Sequence, residues 1–198
     1  MVWRCRLGVE AYASLGRQVE VPRLRCAECQ RPLIFWPGYS RFVRVGVGCV
    51  RIWVRRGKCR ECGITHALLP AFALVRRLDL VAVIGDALAR MIQGKGARSL
   101  AVERSLPPST VRGWRRRHRA RAPDWLNEAE RLLVEWGADL VRRPADVEQA
   151  AVAALVEAWR RAVSRAAGDA PPGVWEFTSV ITGGAWLGTT TSARLGKR

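Results

Sequence analysis

Cys26-Ala27-Glu28-Cys29 and Cys59-Arg60-Glu61-Cys62 are the two stretches that decide how the first part of this chain folds. Each sets two thiols three positions apart, and 29 residues separate the pairs. Two such knuckles supply the four sulfurs that a closed tetrahedral zinc site needs. The expectation is one structural Zn2+ held by Cys26, Cys29, Cys59 and Cys62. The competing reading, a dithiol redox pair, expects one Cys-x-x-Cys beside a βαβ pattern. Here there are two pairs and no parallel-sheet pattern.

Between the knuckles the sequence reads as a hairpin. Tyr39 to Val47 mixes aromatic and β-branched residues with arginines, and Val50 to Arg56 is a strong strand former. Alternation puts Ile52 and Val54 on one face and Trp53 on the other. Gly46 and Gly48 lie where the turn is needed. Knuckle, hairpin, knuckle is the order of a zinc ribbon. The two remaining cysteines, Cys5 and Cys49, are expected in buried apolar positions. His66 could ligate, but four cysteines suffice, and it is read as a hydrogen-bonding residue.

Beyond the second knuckle the period changes. Val83, Ile84, Ala87, Leu88, Met91 and Ile92 form a helical stripe over Leu80 to Gln93, closed by Gly94-Lys95-Gly96. A shorter helix is expected over Ala97 to Arg104. Leu106-Pro107-Pro108-Ser109-Thr110-Val111-Arg112-Gly113-Trp114 then opens a third, with proline in the first turn. Val111 and Trp114 can dock on the preceding helices, and His118 continues their face. The opposite surface presents Ser109, Arg112 and Arg116, with Thr110 beside them. This is the layout of a helix-turn-helix recognition helix, with base edges met by its N-terminal half. Arg115, Arg117, Arg119 and Arg121 are the expected phosphate contacts.

The charge agrees. The chain of 198 residues carries a formal net charge of +17, which favours polyanionic partners. Met1 to Ala122 holds 25 basic and 7 acidic residues, and the remainder holds 9 and 10. The break falls at Ala122-Pro123-Asp124, where proline discourages helix before it and Asp124 can cap a new one. The expected units are therefore 1–75, a zinc ribbon with an N-terminal strand segment; 76–122, the helix-turn-helix; 123–170, a helical hairpin; and 171–198, a flexible tail. The hairpin rests on two stripes, Trp125, Ala129, Leu132, Leu133, Trp136 and Leu140, then Val147, Ala151, Ala154, Leu155, Ala158 and Ala162. It either packs on the helix-turn-helix or offers a homodimer or partner surface. In the tail, Val174 to Phe177 and Ile181 to Leu187 read as short strands or an extended arm, and Gly183-Gly184 and Thr189-Thr190-Thr191 favour flexibility. The fold class is thus α+β.

From Arg17 to Ala122 the chain resembles a family of bacterial mobile-element, transposase-associated proteins with a zinc ribbon and a helix-turn-helix. The residues that carry the resemblance are Val21-Pro22-Arg23, Cys26-x-x-Cys29, Arg31-Pro32-Leu33-Ile34-Phe35-Trp36-Pro37-Gly38-Tyr39 and Arg51-Ile52-Trp53-Val54-Arg55-Arg56. To these are added Cys59-x-x-Cys62-Gly63-x-Thr65-His66-Ala67-Leu68-Leu69-Pro70 and Ser109-Thr110-Val111-Arg112-Gly113-Trp114. The resemblance implies transposon-associated DNA binding, beside a separate transposase. The usual pattern has glycine before the hydrophobe-proline of the turn, whereas this chain has Arg104-Ser105-Leu106-Pro107.

The expected function is sequence-specific binding of double-stranded DNA, with no catalytic residues. Metal-dependent strand transfer needs about three clustered carboxylates. The basic part offers only Glu10, Glu20, Glu28, Glu61, Asp79, Asp86 and Glu103, two of them inside the knuckles. A host transcriptional regulator is one alternative. An RNA-binding zinc ribbon is another, with Phe35, Trp36 and Tyr39 stacking on bases. No apolar run is long enough for a membrane span and no signal-peptide pattern opens the chain, so the expected location is the cytoplasm, on the nucleoid.

Overall fold

In the computed structural model, residues 1–138, 144–165 and 171–188 are described. They form a mixed α+β structure. Strands β1 (Val2–Trp3), β2 (Leu33–Val45), β3 (Gly48–Cys59) and β4 (Thr65–Pro70) make one sheet in the order β1-β4-β3-β2. β2, β3 and β4 are antiparallel neighbours, and β1 joins β4 in parallel. The hairpin closes at Gly46-Val47, since Val45 pairs with Gly48. It is longer than its most strand-like residues suggest. β2 begins at Leu33 and absorbs Pro37-Gly38 as an irregularity between Trp36 and Tyr39. Ile52 and Val54 are buried on one face, as their alternation requires. They join Val43, Leu68, Leu69 and Phe72, together with Tyr12 of helix α1 (Val9–Leu15). The Tyr12 hydroxyl donates to the Trp53 carbonyl at 3.0 Å, so the one polar atom of a buried ring is satisfied.

The helices are α2 (Val81–Ile92), α3 (Ala97–Glu103), α4 (Pro108–Glu135), α5 (Val147–Arg165) and α6 (Val174–Ile181). Ile84, Leu88, Met91, Leu100, Leu106, Val111 and Trp114 share one core. Between α3 and α4, Ser105 adopts φ 51°, the left-handed conformation usually left to glycine. The Leu106 N–H bonds to Ala101 O at 2.8 Å and the Ser105 N–H to Val102 O at 3.1 Å. That pair of bonds is a Schellman closure, and it delivers Leu106 into the core. Serine thus performs the turn at a cost of about 1 kcal/mol.

Three expectations fail beyond Ala122. The helix does not break at Pro123, which lies inside α4. Val111, Trp114, His118, Ala122, Trp125, Ala129, Leu132 and Leu133 are all buried, and their spacing runs through the proline without a phase shift. Burial of Trp125 and its neighbours outweighs the lost hydrogen bond at an exposed site. Asp124 pairs with Arg121 at 2.5 Å and caps nothing. Nor do α4 and α5 form a hairpin. Glu148, at the start of α5, meets Arg115 and Arg119; Ala150 and Ala151 meet Ala122 and Leu126; Leu155 and Ala158 meet Ala129, Leu132 and Leu133. The two helices therefore run parallel. Gly137, with φ 67°, follows the end of the first helix, and Leu140 lies outside the described residues.

The third failure is the tail. Residues 174–181 are helix α6, and Trp186 and Leu187 are buried in the core of α2, α3 and α4. Trp186 stacks on Trp175 at 5.3 Å and donates its indole N–H to His118 Nδ1 at 3.3 Å. Its carbonyl accepts from Trp125 Nε1 at 3.1 Å. Trp175 sits where any side chain on Gly85 would have to be, so α6 and α2 approach only because residue 85 is glycine. Ser179 Oγ donates to Ala73 O at 3.0 Å and ties α6 to the segment leaving the sheet. Thr189, Thr190 and Thr191 lie outside the described residues.

Trp186→Ala should cost about 3–5 kcal/mol in urea unfolding, as for a buried aromatic. His118 supplies a pH signature. Burial above all holds its pKa at about 4, against an ordinary 6.5. Between these values the unfolded chain binds the extra proton, so stability is full above about pH 6.5 and falls as pH drops toward 4. Urea midpoints across that window should show the slope, and His118→Gln should flatten it.

Candidate metal centre and basic helical face

The two knuckles have the same backbone. The Cys26 N–H bonds to Arg31 O at 2.8 Å, and the Gln30 N–H to Cys26 O at 3.0 Å. The Cys59 N–H bonds to Ile64 O at 2.9 Å, and the Gly63 N–H to Cys59 O at 3.1 Å. Each loop turns on a residue of positive φ, Gln30 at 59° and Gly63 at 72°. Glycine takes this without strain, and Gln30 does so because the loop bonds on either side hold it. The N–H groups of Glu28 and Glu61 point at the first sulfur of each knuckle, and those of Arg31 and Ile64 at the second. Such donors favour the thiolate over the thiol.

These loops bring together the four cysteines that the spacing singles out. Their Sγ atoms all lie within 4.8 Å of one another, an arrangement that could hold one metal ion. Cys26 is 3.6 Å from Cys62 and Cys29 is 3.4 Å from Cys59. Cys26 and Cys59 are buried, Cys29 is half-buried and Cys62 is exposed. The crowded sulfurs split in acidity. N–H donors, first that of Cys62, draw Cys59 down to about 7. At Cys62 the Ile64 N–H also pulls down, but desolvation and the neighbouring sulfurs override it and push the thiol up to about 12. A cation among the sulfurs relieves that competition by favouring the thiolate at every position.

His66 Nε2 stands 3.3 Å from Cys26 Sγ. Burial, then the Met1 ammonium, holds its pKa below the ordinary value, so the neutral ring is a hydrogen-bond partner to sulfur. Cys5 is buried, as expected. Cys49 is not; it is exposed beside the hairpin turn, where both strands project beyond the core.

The basic residues of α4 divide into two groups. Ser109, Arg112 and Arg116 are exposed and Thr110 is half-buried, while Val111 and Trp114 anchor the helix on its other side. Arg115 and Arg119 are engaged within the fold. Each lies 3.3 Å from Glu148, whose carboxylate is 2 % exposed. Arg117 is half-buried, lies against Gly113, and stands close enough to Arg77 to lower that residue's pKa, after burial. Arg121 stacks on Trp125 at 4.6 Å. Glu148 escapes a sequence reading centred on hydrophobic residues. Its signal is positional, because Glu148, Ala151, Leu155 and Ala158 share the buried face of α5.

No protein-family model, curated protein or solved structure matches the chain.

Cys62→Ser should lose bound metal by elemental analysis, whereas Cys49→Ser should retain it in full. Arg115→Ala should act on stability, by about 1–3 kcal/mol, because it strips a partner from a buried carboxylate. Urea unfolding of that variant should shift accordingly.

Proposed function

We propose that the chain is a sequence-specific binder of double-stranded DNA, built as a zinc ribbon followed by a helix-turn-helix, without catalytic chemistry of its own. The observation that carries the reading is the N-terminal half of α4. Val111 and Trp114 fix it on α2 and α3, and Ser109, Arg112 and Arg116 stand free on the outer side. Among the described residues, Arg112 and Arg116 have no ion-pair or hydrogen-bond partner, so their guanidinium groups are available to guanine edges and phosphates. The phosphate-contact set expected from the sequence narrows, since Arg115 and Arg119 already serve Glu148. Zinc is the ion we propose for the four cysteines. With metal–sulfur bonds of about 2.3 Å, a tetrahedron has edges of roughly 3.8 Å, close to the observed sulfur separations. Four thiolates leave no open position, so its role is structural.

The resemblance over Arg17 to Ala122 supports placement with a transposon, as accessory to a separate transposase. A host regulator would use the same surface, and a transposase gene beside this one is the observation that separates the two.

Duplexes selected from a random pool by the full chain provide the test. Arg112→Ala should lose about 1–3 kcal/mol on the selected sequence and much less on random DNA. Arg116→Ala should weaken both alike and reduce the salt slope by about one unit. Equal losses on all duplexes from Arg112→Ala would reduce α4 to an electrostatic anchor.

A further inference from the structure

Among the described residues, every large exposed aromatic lies on a single strand. Phe35, Trp36, Tyr39 and Phe42 are 49, 42, 40 and 57 % exposed, and all belong to β2. β2 is an edge strand of the sheet; its Leu33 and Val43 turn into the core and its Arg44 N–H donates to Leu78 O at 2.8 Å, but the four rings stay open to solvent. The hairpin Leu33–Cys59 carries Arg41, Arg44, Arg51, Arg55, Arg56 and Lys58 and no acidic residue. Cations stand beside the rings. Lys58 Nζ is 4.5 Å from the Trp36 ring centre, Arg55 is 5.3 Å from that of Phe35, and Phe42 pairs across the strands with Arg51. Register places Phe35 and Phe42 on one face with Trp53, itself covered by Arg17 at 4.6 Å. Trp36 and Tyr39 occupy the other.

We propose that this hairpin is a second nucleic-acid site, a stacking platform for single-stranded polynucleotide. Exposed rings spaced along a basic strand suit it, because each base offers a face to stack on and each phosphate a charge for the adjoining cation. Duplex would hide its bases from the rings. A second copy of this chain fits poorly, since two uniformly basic hairpins repel and Pro37 interrupts the row of edge N–H groups. The site uses none of the residues on the outer face of α4 and stands whether or not that helix reads duplex DNA.

Charge alone would bind any nucleic acid, so the test removes rings and leaves charge intact. Labelled twelve-residue oligo(dT) and oligo(rU) are titrated into the full chain, the Phe35→Ala/Phe42→Ala variant and the Trp36→Ala/Tyr39→Ala variant. Anionic phospholipid vesicles form a parallel arm. Each ring removed should weaken single strands at least about fivefold at fixed salt, without changing the salt slope. Comparable losses for oligo(dT) and oligo(rU) identify stacking on a sugar-independent platform, and loss confined to one sugar narrows the ligand to that polymer. Photocrosslinking of the unaltered chain to thiothymidine-bearing oligo(dT) should label residues 33–45, a readout that does not depend on any variant folding. Single-strand affinity unchanged in both variants, crosslinks confined to α4, or losses seen only on vesicles would each overturn the proposal.

Discussion

Cys59 is both the last residue of β3 and the first cysteine of the second knuckle, and much of the molecule hangs on that coincidence. Fixing its sulfur beside Cys29 fixes the base of the hairpin, because Leu33 pairs with Cys59 only four residues after Cys29. The register then follows strand by strand to the tip. It brings Arg41 to the Leu74 carbonyl at 3.1 Å and Arg44 to Asp79 at 2.9 Å. Those arginines hold the segment that leaves β4 and launches α2. A local choice made by four sulfurs is thus carried along a stiff ribbon to the place where the helices attach. Burial raises the Asp79 pKa while Arg44 opposes it, so the ion pair there is shielded and directional rather than a loose surface contact.

What the sequence displayed most clearly was local. The knuckles, the hairpin and the helices over α2 and α3 follow from spacing, alternation and period, signals written within a dozen residues. The same holds for the clustering of the four cysteines, since Cys-x-x-Cys repeated twice leaves little freedom. The features that were hidden depend on partners distant in the chain. Pro123 looks like a boundary by its backbone chemistry, yet the stripe of Trp114, His118, Ala122, Trp125 and Ala129 crosses it in phase. The glycine pair and threonines near the end suggest looseness, yet Trp186 fills a core built mainly by residues 81–125. Ser105 fulfils a glycine's duty, which no residue preference at that position would announce.

The distribution of charge also looks different once folded. Along the chain it divides into a basic part and a neutral part. In three dimensions the neutral part reaches back, and the buried carboxylate of Glu148 neutralises the flank of α4 at Arg115 and Arg119. Among the described residues, Arg112 and Arg116 near the start of that helix and Arg51 on the hairpin are exposed cations without an ion pair. The positive surface is therefore smaller and better defined than the net charge implies, which is the condition under which arginine placement, rather than total charge, can discriminate among partners.

The position of Trp186 also bears on how the protein is made. The sheet and its knuckles are complete once the chain has been synthesised to Pro70. The helical core closes only when Trp186 arrives, 61 residues after the Trp125 side chain it must meet. Translation delivers residues in order and slowly compared with helix formation, so the amino-terminal ribbon has time to settle while the helices wait with an unfilled hydrophobic socket. During that interval α2, α3 and α4 expose apolar surface around the vacant place of one indole. A ribosome stalled short of Leu187 would release a species with a finished sheet and an open core.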